Sequence, residues 1–552
     1  MKSRTSFFDT AVLKKNITRF APVWVLYLVF LLMMMGLMAQ DTGIWYASNM
    51  AESLMFMAAL NFGYALVCAQ LLFGDLYNSR MCNALHALPL KREGWFLTNV
   101  ASGLLFSLVP NAVMALLSMV LCGKLWTVSL AWLLCVSVQY LFFFGIATLS
   151  AYLVGNRFAM GLVYLIINLF SLIAYWLADR LYVPNLYGIQ LENQIFFTLS
   201  PLVKMCAFNY LDVVIEKTHG LPSGYWYFYQ GWGYIAICAA IGIGAMGLAL
   251  LAYRKRHLEC AGDFVAVKGL GPVFLVLYTL CVGACCHGFF DLFLGNDSGV
   301  YLLVGLTVGF FTGLMLLERQ VRVFRKKTCL GFAAFVLAFF GTILGARYDV
   351  LGVVRWMPKA QNVQSVYITT GSSFYYVRDG LQQADPGDID MALTLHKAGL
   401  EHRNWSENVR EDTRVLLTYT MKNGLRHSRE YYIDVDTDVG RQLQSYLSRP
   451  ETVIGEVYDF GSISQAEFYD PGIVITDPTA LAGLYDAIVA DCEAGKMAQD
   501  WNFHRDGNSY YINLQFVRAD GVHYYREVMV WDDCETIMAW VEDMGIEFEK
   551  WD

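Results

Sequence analysis

The chain has 552 residues, of which 56% are hydrophobic, 15% aromatic and only 16% charged, a balance too apolar for an ordinary soluble chain of this size. Charge divides at Arg347: 22 basic and 14 acidic residues precede it, while 18 basic and 34 acidic residues lie from it onward. A wholly soluble protein is excluded, and an apolar membrane part tethered to an acidic soluble part is expected, with the lipid bilayer as a partner and nucleic acid not.

The first twenty residues are basic and run into an apolar stretch with no small-residue cleavage site after it, so that stretch is expected to be retained as the first span. Apolar runs long enough to cross follow at Phe20 to Met38, Leu54 to Phe73, Asn99 to Leu121, Leu130 to Val154, Phe158 to Ala178 and Trp232 to Tyr253. Three more, at Pro272 to Phe289, Val300 to Leu317 and Leu330 to Ala346, give nine expected crossings. With the N-terminus inside, the cytoplasmic segments hold 18 of the 22 basic residues before Arg347, and the opposite loops hold only Lys124, Arg180, Lys204 and Lys217. Basic loops are retained on the cytoplasmic side. An odd number of crossings then places the part from Arg347 onward outside the cell.

Within the spans the polar residues are neutral amides: Asn61, Gln70, Asn99, Asn111, Gln139 and Asn168. Proton relays and ion pumps place carboxylates, His or basic groups at mid-membrane, so ion-driven transport loses weight. Helix-to-helix hydrogen bonding is the plain role for these amides; Gln139 and Asn168, with Tyr175, are the candidates for lining a substrate path. The sixth span carries Ala236, Ala240 and Gly244 at four-residue spacing, a face expected to pack closely against another helix.

Between the second and third spans lies GDLYNSRMCNALHALPLKREGWF, Gly74 to Phe96. Leu76, Met81, Leu85 and Leu88 fall at roughly helical spacing, Pro89 ends the helix, and Lys91 and Arg92 follow. An apolar face that so small a loop cannot bury needs either lipid headgroups or a partner protein.

The chain resembles the membrane subunits of ABC-2 type exporters, in the form common in Gram-positive bacteria. Asn78-Ser79-Arg80, then Leu85-His86-Ala87-Leu88-Pro89-Leu90-Lys91-Arg92, carry the likeness, together with Tyr253-Arg254-Lys255-Arg256 closing the sixth span, Glu259 and Ala261-Gly262-Asp263 after it, and Leu199-Ser200-Pro201-Leu202 in the long outer loop. The resemblance covers residues 10 to 265. It implies a bacterial plasma-membrane permease core of six helices that dimerises with a second copy or a paralogue. It also implies a separate cytoplasmic ATPase, holding the ATP and Mg, docked on the loop that contains Asn78, Arg80, Leu85, His86, Leu88, Pro89, Lys91 and Arg92. No cofactor is expected on this chain itself. Three extra spans and a large C-terminal domain depart from the simplest members. The sequence agrees in one respect: a phosphate-cradling GxxxxGK[ST] is absent, since Gly123-Lys124 and Gly495-Lys496 are followed by Leu and Met. The expected organisation is therefore a six-span core over 1–265, three added helices over 266–346 and an extracytoplasmic α+β domain over 347–552.

From Arg347 the pattern changes to short strands and turns. Arg414 to Tyr419, Asn423-Gly424 and Arg429 to Asp434 read as a hairpin with a type I′ turn, and Tyr511 to Phe516 with Arg526 to Val530 reads as a second. Gly424 to Glu430 and Gly521 to Glu527 keep the same Gly, Arg and Glu spacing 97 residues apart. With Val366 to Thr369 and Ile389 to Glu401 before the first, Ile473 to Thr476 and Pro478 to Glu493 before the second, and a helix after each, a duplicated β-α-β-β-α unit is expected, folding by itself. Its acidic surface is expected to favour cationic partners.

Asp434, Asp436 and Asp438 start like a calcium loop but lack its Gly and its late Glu, so an acidic turn with Asp438 capping the helix that follows is the better reading. Thirteen cysteines show no CxxC pair and no His at zinc spacing, so no metal site is expected. His396 and His402 are six apart, on different sides of a helix, and no nucleophile stands near them. A transporter subunit without enzymatic activity of its own is the leading expectation, with a membrane-anchored sensor whose outer domain recognises a ligand as the alternative.

Overall fold

Lipid offers no partner to backbone N–H and C=O groups, so an apolar run crossing it must close its hydrogen bonds within a helix. The computed structural model describes residues 8–546 except 87–90, 192–195, 197, 208–210, 219–220, 230, 257–261, 268, 295–298, 371–383, 402–411, 455–462, 469–471, 504–506 and 518–522. The chain forms two units: Met1–Ala178, Asn193–Glu216 and Pro222–Phe340 make the first, and Asp179–Glu192, Lys217–Leu221 and Gly341–Asp552 the second.

The first unit is helical. After α1 (Thr10–Arg19) come α2 (Ala21–Met38), α3 (Ile44–Leu72), the short α4 (Ser79–His86), α5 (Arg92–Cys122), α6 (Trp126–Leu153), α7 (Arg157–Leu177), the short α8 (Pro201–Ala207), α9 (Trp232–Lys255), α10 (Leu270–Leu294), α11 (Gly299–Glu318) and α12 (Lys326–Arg347), whose last residues belong to the second unit. Among the described residues eight helical segments are long and apolar enough to cross a bilayer, which makes the chain a polytopic membrane protein. One of the eight, 92–153, has 62 residues and would be about 93 Å long as a single helix, three times a hydrocarbon core of roughly 30 Å. It folds back at Gly123, φ +59°, and α5 packs along α6.

Helix α6 is the centre of this unit and touches α3, α5, α7 and α9. Its approach to α9 depends on two glycines: a Cβ on Gly145 would stand 2.3 Å from the Gly242 carbonyl oxygen, and one on Gly242 would stand 2.9 Å from that of Leu141. The buried face of α9 is therefore Ile235, Cys238, Gly242, Ala245, Met246 and Ala249. Ala236, Ala240 and Gly244 are exposed, and nothing lies within 4 Å of a Cβ built on Gly244. The sequence-expected packing face is thus the outward one. The helix is apolar all round, so composition does not fix which stripe turns inward. Helices α10 and α11 meet through Gly283, Gly305, Gly309 and Gly313, whereas α12 buries none of its residues.

In the second unit two four-stranded antiparallel sheets follow one another in sequence. The first half holds β4 (Val363–Thr370), α13 (Pro386–Glu401), β5 (Asp412–Met421), β6 (Arg426–Asp434), α14 (Asp438–Leu447) and the single turn α15 (Pro450–Val453). The second holds β7 (Gln465–Phe468), β8 (Ile473–Ile475), α16 (Pro478–Glu493), β9 (Ser509–Val517), β10 (His523–Trp531) and α17 (Glu535–Asp543). Hairpin registers coincide at an offset of 97: Val415, Leu417 and Tyr419 face Tyr431, Arg429 and His427, while Ile512, Leu514 and Phe516 face Val528, Arg526 and Tyr524. The repeated arginine does the same work twice. Arg429 donates to the carbonyls of Val353 and Trp356 at 2.9 and 3.3 Å, and Arg526 to those of Val453 and Thr452 at 2.8 and 3.1 Å; each pins the chain that leads into its half.

Three details differ from the sequence reading. In the second half the strand beside the hairpin is β7, and Ile473–Ile475 lies outside it in the order β10-β9-β7-β8. Helix α14 is capped by Thr437, whose Oγ1 accepts from Gly440 N at 3.1 Å, and Asp438 is already its first residue. The first sheet has the order β1-β6-β5-β4, and its edge strand β1 (Ile189–Gln190) comes from the chain just after α7, outside 347–552. A further pair, β2 (Leu211–Thr218) with β3 (Leu221–Tyr229), forms a sheet of its own.

His396 lies on α13 with no solvent exposure, and that burial pushes its pKa down to about 4. The unfolded chain takes up this proton near 6.5 and the folded one does not until about 4, so between those values the unfolded state binds more protons and stability falls as pH falls. Denaturant unfolding of the second unit in the full chain should show a midpoint that drops from pH 7 to pH 4. In His396→Ile this part of the pH dependence should vanish.

Candidate functional site

The ends of α3, α6 and α9 and the starts of α5 and α7 meet at one end of the helical unit. A helix end leaves four carbonyls without partners and carries partial negative charge, which arginine satisfies well. Arg256 donates to Ala151 O at 3.3 Å and Leu76 O at 3.5 Å. Arg92 donates to Arg256 O at 3.3 Å and lies over the Tyr253 ring, and Arg254 pairs with Glu93 at 3.1 Å. A Cβ on Gly74 would stand 2.9 Å from the Arg157 guanidinium, so only glycine lets that side chain lie across the turn. Beneath the arginines the rings of Tyr152, Tyr253, Phe96 and Trp95 pack against one another at tilted angles. The connection from α9 to α10 is tied in as well: Gly262 N donates to Gly155 O at 2.6 Å, Gly155 N to Asp263 O at 2.8 Å, and Arg319 pairs with Asp263 at 3.0 Å.

From this stapled base α4 projects. Asn78 caps it, its Oδ1 accepting from Arg80 N at 3.0 Å, and Asn78, Ser79, Arg80, Met81 and Asn83 are exposed while Cys82 is buried. Leu76 and Met81 do not share the apolar face expected of them. Leu76 belongs to a 3-10 turn, Gly74–Tyr77, and is buried, whereas Met81 on the helix beyond Asn78 is 43% exposed. Asn78 breaks the run, so the two residues do not share a helical face. Leu85 and His86 close α4, and Leu88 and Pro89 lie outside the described residues. Lys91 precedes α5 and is exposed; Arg92 opens α5 as one of the staples. The arrangement offers a short helix carried on a rigid support, whose described side chains on the exposed face are Ser79, Arg80, Asn83 and the apolar Met81.

The buried amides form a second group, deep among α2, α3, α5 and α6. Tyr27 donates to Asn111 at 2.9 Å and Asn61 at 3.3 Å, Asn61 donates to Gln139 at 3.3 Å, and Gln139 donates to Leu54 O at 3.1 Å. Gln139 is thus engaged at both ends of its amide, in interhelical bonding. Asn168 is placed elsewhere, on α7, donating to Tyr164 O at 2.9 Å, and Tyr175 lies against Phe196. The three candidates for a substrate path are not brought into one group.

Two features of this unit were not anticipated. His287 is buried in α10, its ring 5.3 Å from that of Trp176 on α7; the signal available was a single imidazole in an apolar run. The capping role of Arg92, Arg157 and Arg256 was hidden behind their value as topology markers. No protein-family model, curated protein or solved structure matches the chain.

Proposed function

We propose that this chain is the permease subunit of an ATP-driven exporter in a bacterial plasma membrane, working as a dimer and driven by a separate cytoplasmic ATPase that docks on α4. The observation that carries the reading is the projection of α4 from an arginine-stapled helix end. Force applied to a helix so supported is transmitted to α3, α5, α6 and α9 together, as rigid-body rocking of a helix bundle requires. A chain without a phosphate-binding loop needs its engine elsewhere. Co-purification from native membranes tests this.

In the same reading α2, α3, α5, α6, α7, α9, α10, α11 and α12 cross the bilayer, nine times in all. The basic end of the helical unit is cytoplasmic, and the second unit is extracytoplasmic and arose by duplication of a β-α-β-β-α unit. The coincident registers and the paired arginines support the duplication. The strand β1 supports the sidedness, because it follows α7 and pairs with β6, and four crossing helices, α9 to α12, an even number, separate it from the rest of that unit. On a background in which the exposed Cys285 and Cys329 are serine, an impermeant thiol reagent on intact cells should label Leu425→Cys and leave Arg322→Cys unlabelled. Equal or reversed labelling would overturn the orientation.

A further inference from the structure

The first half of the second unit has a buried polar group that its second half lacks. Arg429 and Tyr431 are two apart on β6 and so point to one face of the sheet, the face covered by α13. From α13 His396 reaches the same place, its ring centroid 5.3 Å from that of Tyr431 and 5.8 Å from that of Tyr419 on β5. These three residues, His396, Arg429 and Tyr431, are 0, 4 and 1% exposed. Among the described residues His396 Nε2, Arg429 Nη1 and Tyr431 Oη have no hydrogen-bond partner. At the matching positions the second half carries Ile488 on α16 and Phe516 and Val528 in its hairpin, with Ile488 and Val528 fully buried. The arginine is kept as Arg526 in the second half, so the imidazole and the phenol, not the guanidinium, are the additions of the first.

Proton positions follow from the bonds. Tyr419 gives its single hydroxyl hydrogen to Ala392 O at 2.9 Å, so in the 3.2 Å contact with His396 Nδ1 the imidazole is the donor. The neutral ring then presents a bare lone pair at Nε2. Among the described residues the guanidinium nearby has no carboxylate of its own: Asp349, the acidic group it feels, accepts from Val354 N and Arg355 N at 3.0 and 3.4 Å and pairs with Arg355. A buried cation with unmet donors is costly.

We propose that His396, Arg429 and Tyr431 form a binding site for one small monoanion, taken up together with a proton from solvent on His396 Nε2. With that proton the site offers three donors, from imidazolium, guanidinium and phenol; the charges of anion and proton cancel, so the site keeps the single positive charge that the guanidinium already carries. Groups facing His396 are Tyr419 from β5, Arg429 and Tyr431 from β6 and, beyond Tyr431, Tyr187 ahead of β1; Asp388, the other buried acid of α13, is held by Arg449 at 2.9 Å two turns away. The acidic surface of this part of the chain opposes anions, but surface charges are screened within about 10 Å at ordinary salt, and a buried guanidinium in contact is not. Occupancy would be felt outside the site. The Tyr431 ring fills the space that side chains on Gly399 and Gly188 would need, with Cβ positions 2.3 and 2.2 Å from it, and Gly188 leads into β1.

The test uses the full chain in detergent, with formate or chloride added against gluconate at equal ionic strength, and reads unfolding of the second unit and proton uptake at several pH values. The site predicts saturable, anion-specific stabilisation with one proton taken up per anion, and apparent affinity rising about tenfold per pH unit as pH falls through the neutral range. His396→Ile and Tyr431→Val, which carry the second half's residues, should fold and lose the effect. Stabilisation that is independent of pH, or equal in wild type and His396→Ile, or absent altogether, would mean an internal water only and would overturn the proposal.

Discussion

Gly145→Val is expected to prevent the helical unit from assembling. The added Cβ would stand 2.3 Å from a backbone oxygen of α9, and a backbone atom cannot turn aside as a side chain can, so α6 and α9 must separate along their length. Overpacking of this kind costs about 3 kcal/mol or more, a large share of the stability of any single unit. Gly244→Val is the matched control, on the outward face of α9 with nothing within 4 Å. Thermal unfolding in detergent should show a large loss for the first variant and a change of less than about 0.5 kcal/mol for the second.

On the proposed reading, reversing charge and polarity on the exposed part of α4, as Arg80→Glu with Met81→Asp, is expected to release a docked ATPase while leaving the chain folded. Both side chains are exposed and neither contributes to the staples beneath. Loss of a central interface residue typically costs about 2 kcal/mol or more, roughly thirtyfold in affinity. Pull-down of the ATPase should fall by at least that factor, with unchanged elution and melting of the variant chain. Full retention would move the docking surface away from α4.

The parts of this fold that could be read from the sequence are those where solvent dictates the answer. Lipid forces helices, and all nine apolar runs became helices of 18 residues or more among the described residues. Asn423-Gly424 and the Gly-Arg-Glu spacing located both hairpins, but the first turn is not the expected type I′: Gly424 N donates to Met421 O at 2.8 Å around Lys422-Asn423, and of these residues only Gly424 has positive φ, at +81°, as in a type I turn closed by a glycine bulge. Where partners are distant in sequence the reading fell short. Strand β1 has two residues and finds its pair some 240 positions later, so nothing local marks it. Strand β7 alternates correctly, but four residues are too few to stand out.

The site was legible only in part, for related reasons. The position of α4 followed from its place between two spans, whereas its N-terminal boundary at Asn78 did not. Its face did not, because a helical period carried through Leu76 assumes one helix where the chain makes a 3-10 turn first. Buried amides could be named but not grouped: Gln139 joins Asn61 across helices while Asn168 bonds within its own. The same ambiguity affected α9, where two stripes of small residues are available and only the contact of Gly145 with Gly242 decides between them.

In the proposed reading this chain converts work done by another polypeptide. Purification of the wild-type chain from its native membrane under mild conditions, followed by identification of what accompanies it and by ATP hydrolysis of the complex and of the stripped chain, tests this. A stoichiometric ATPase bearing a phosphate-binding loop is expected with it, with hydrolysis in the complex and none by the chain alone. Recovery of the chain without any ATPase, or hydrolysis that stays with the stripped chain, would contradict it.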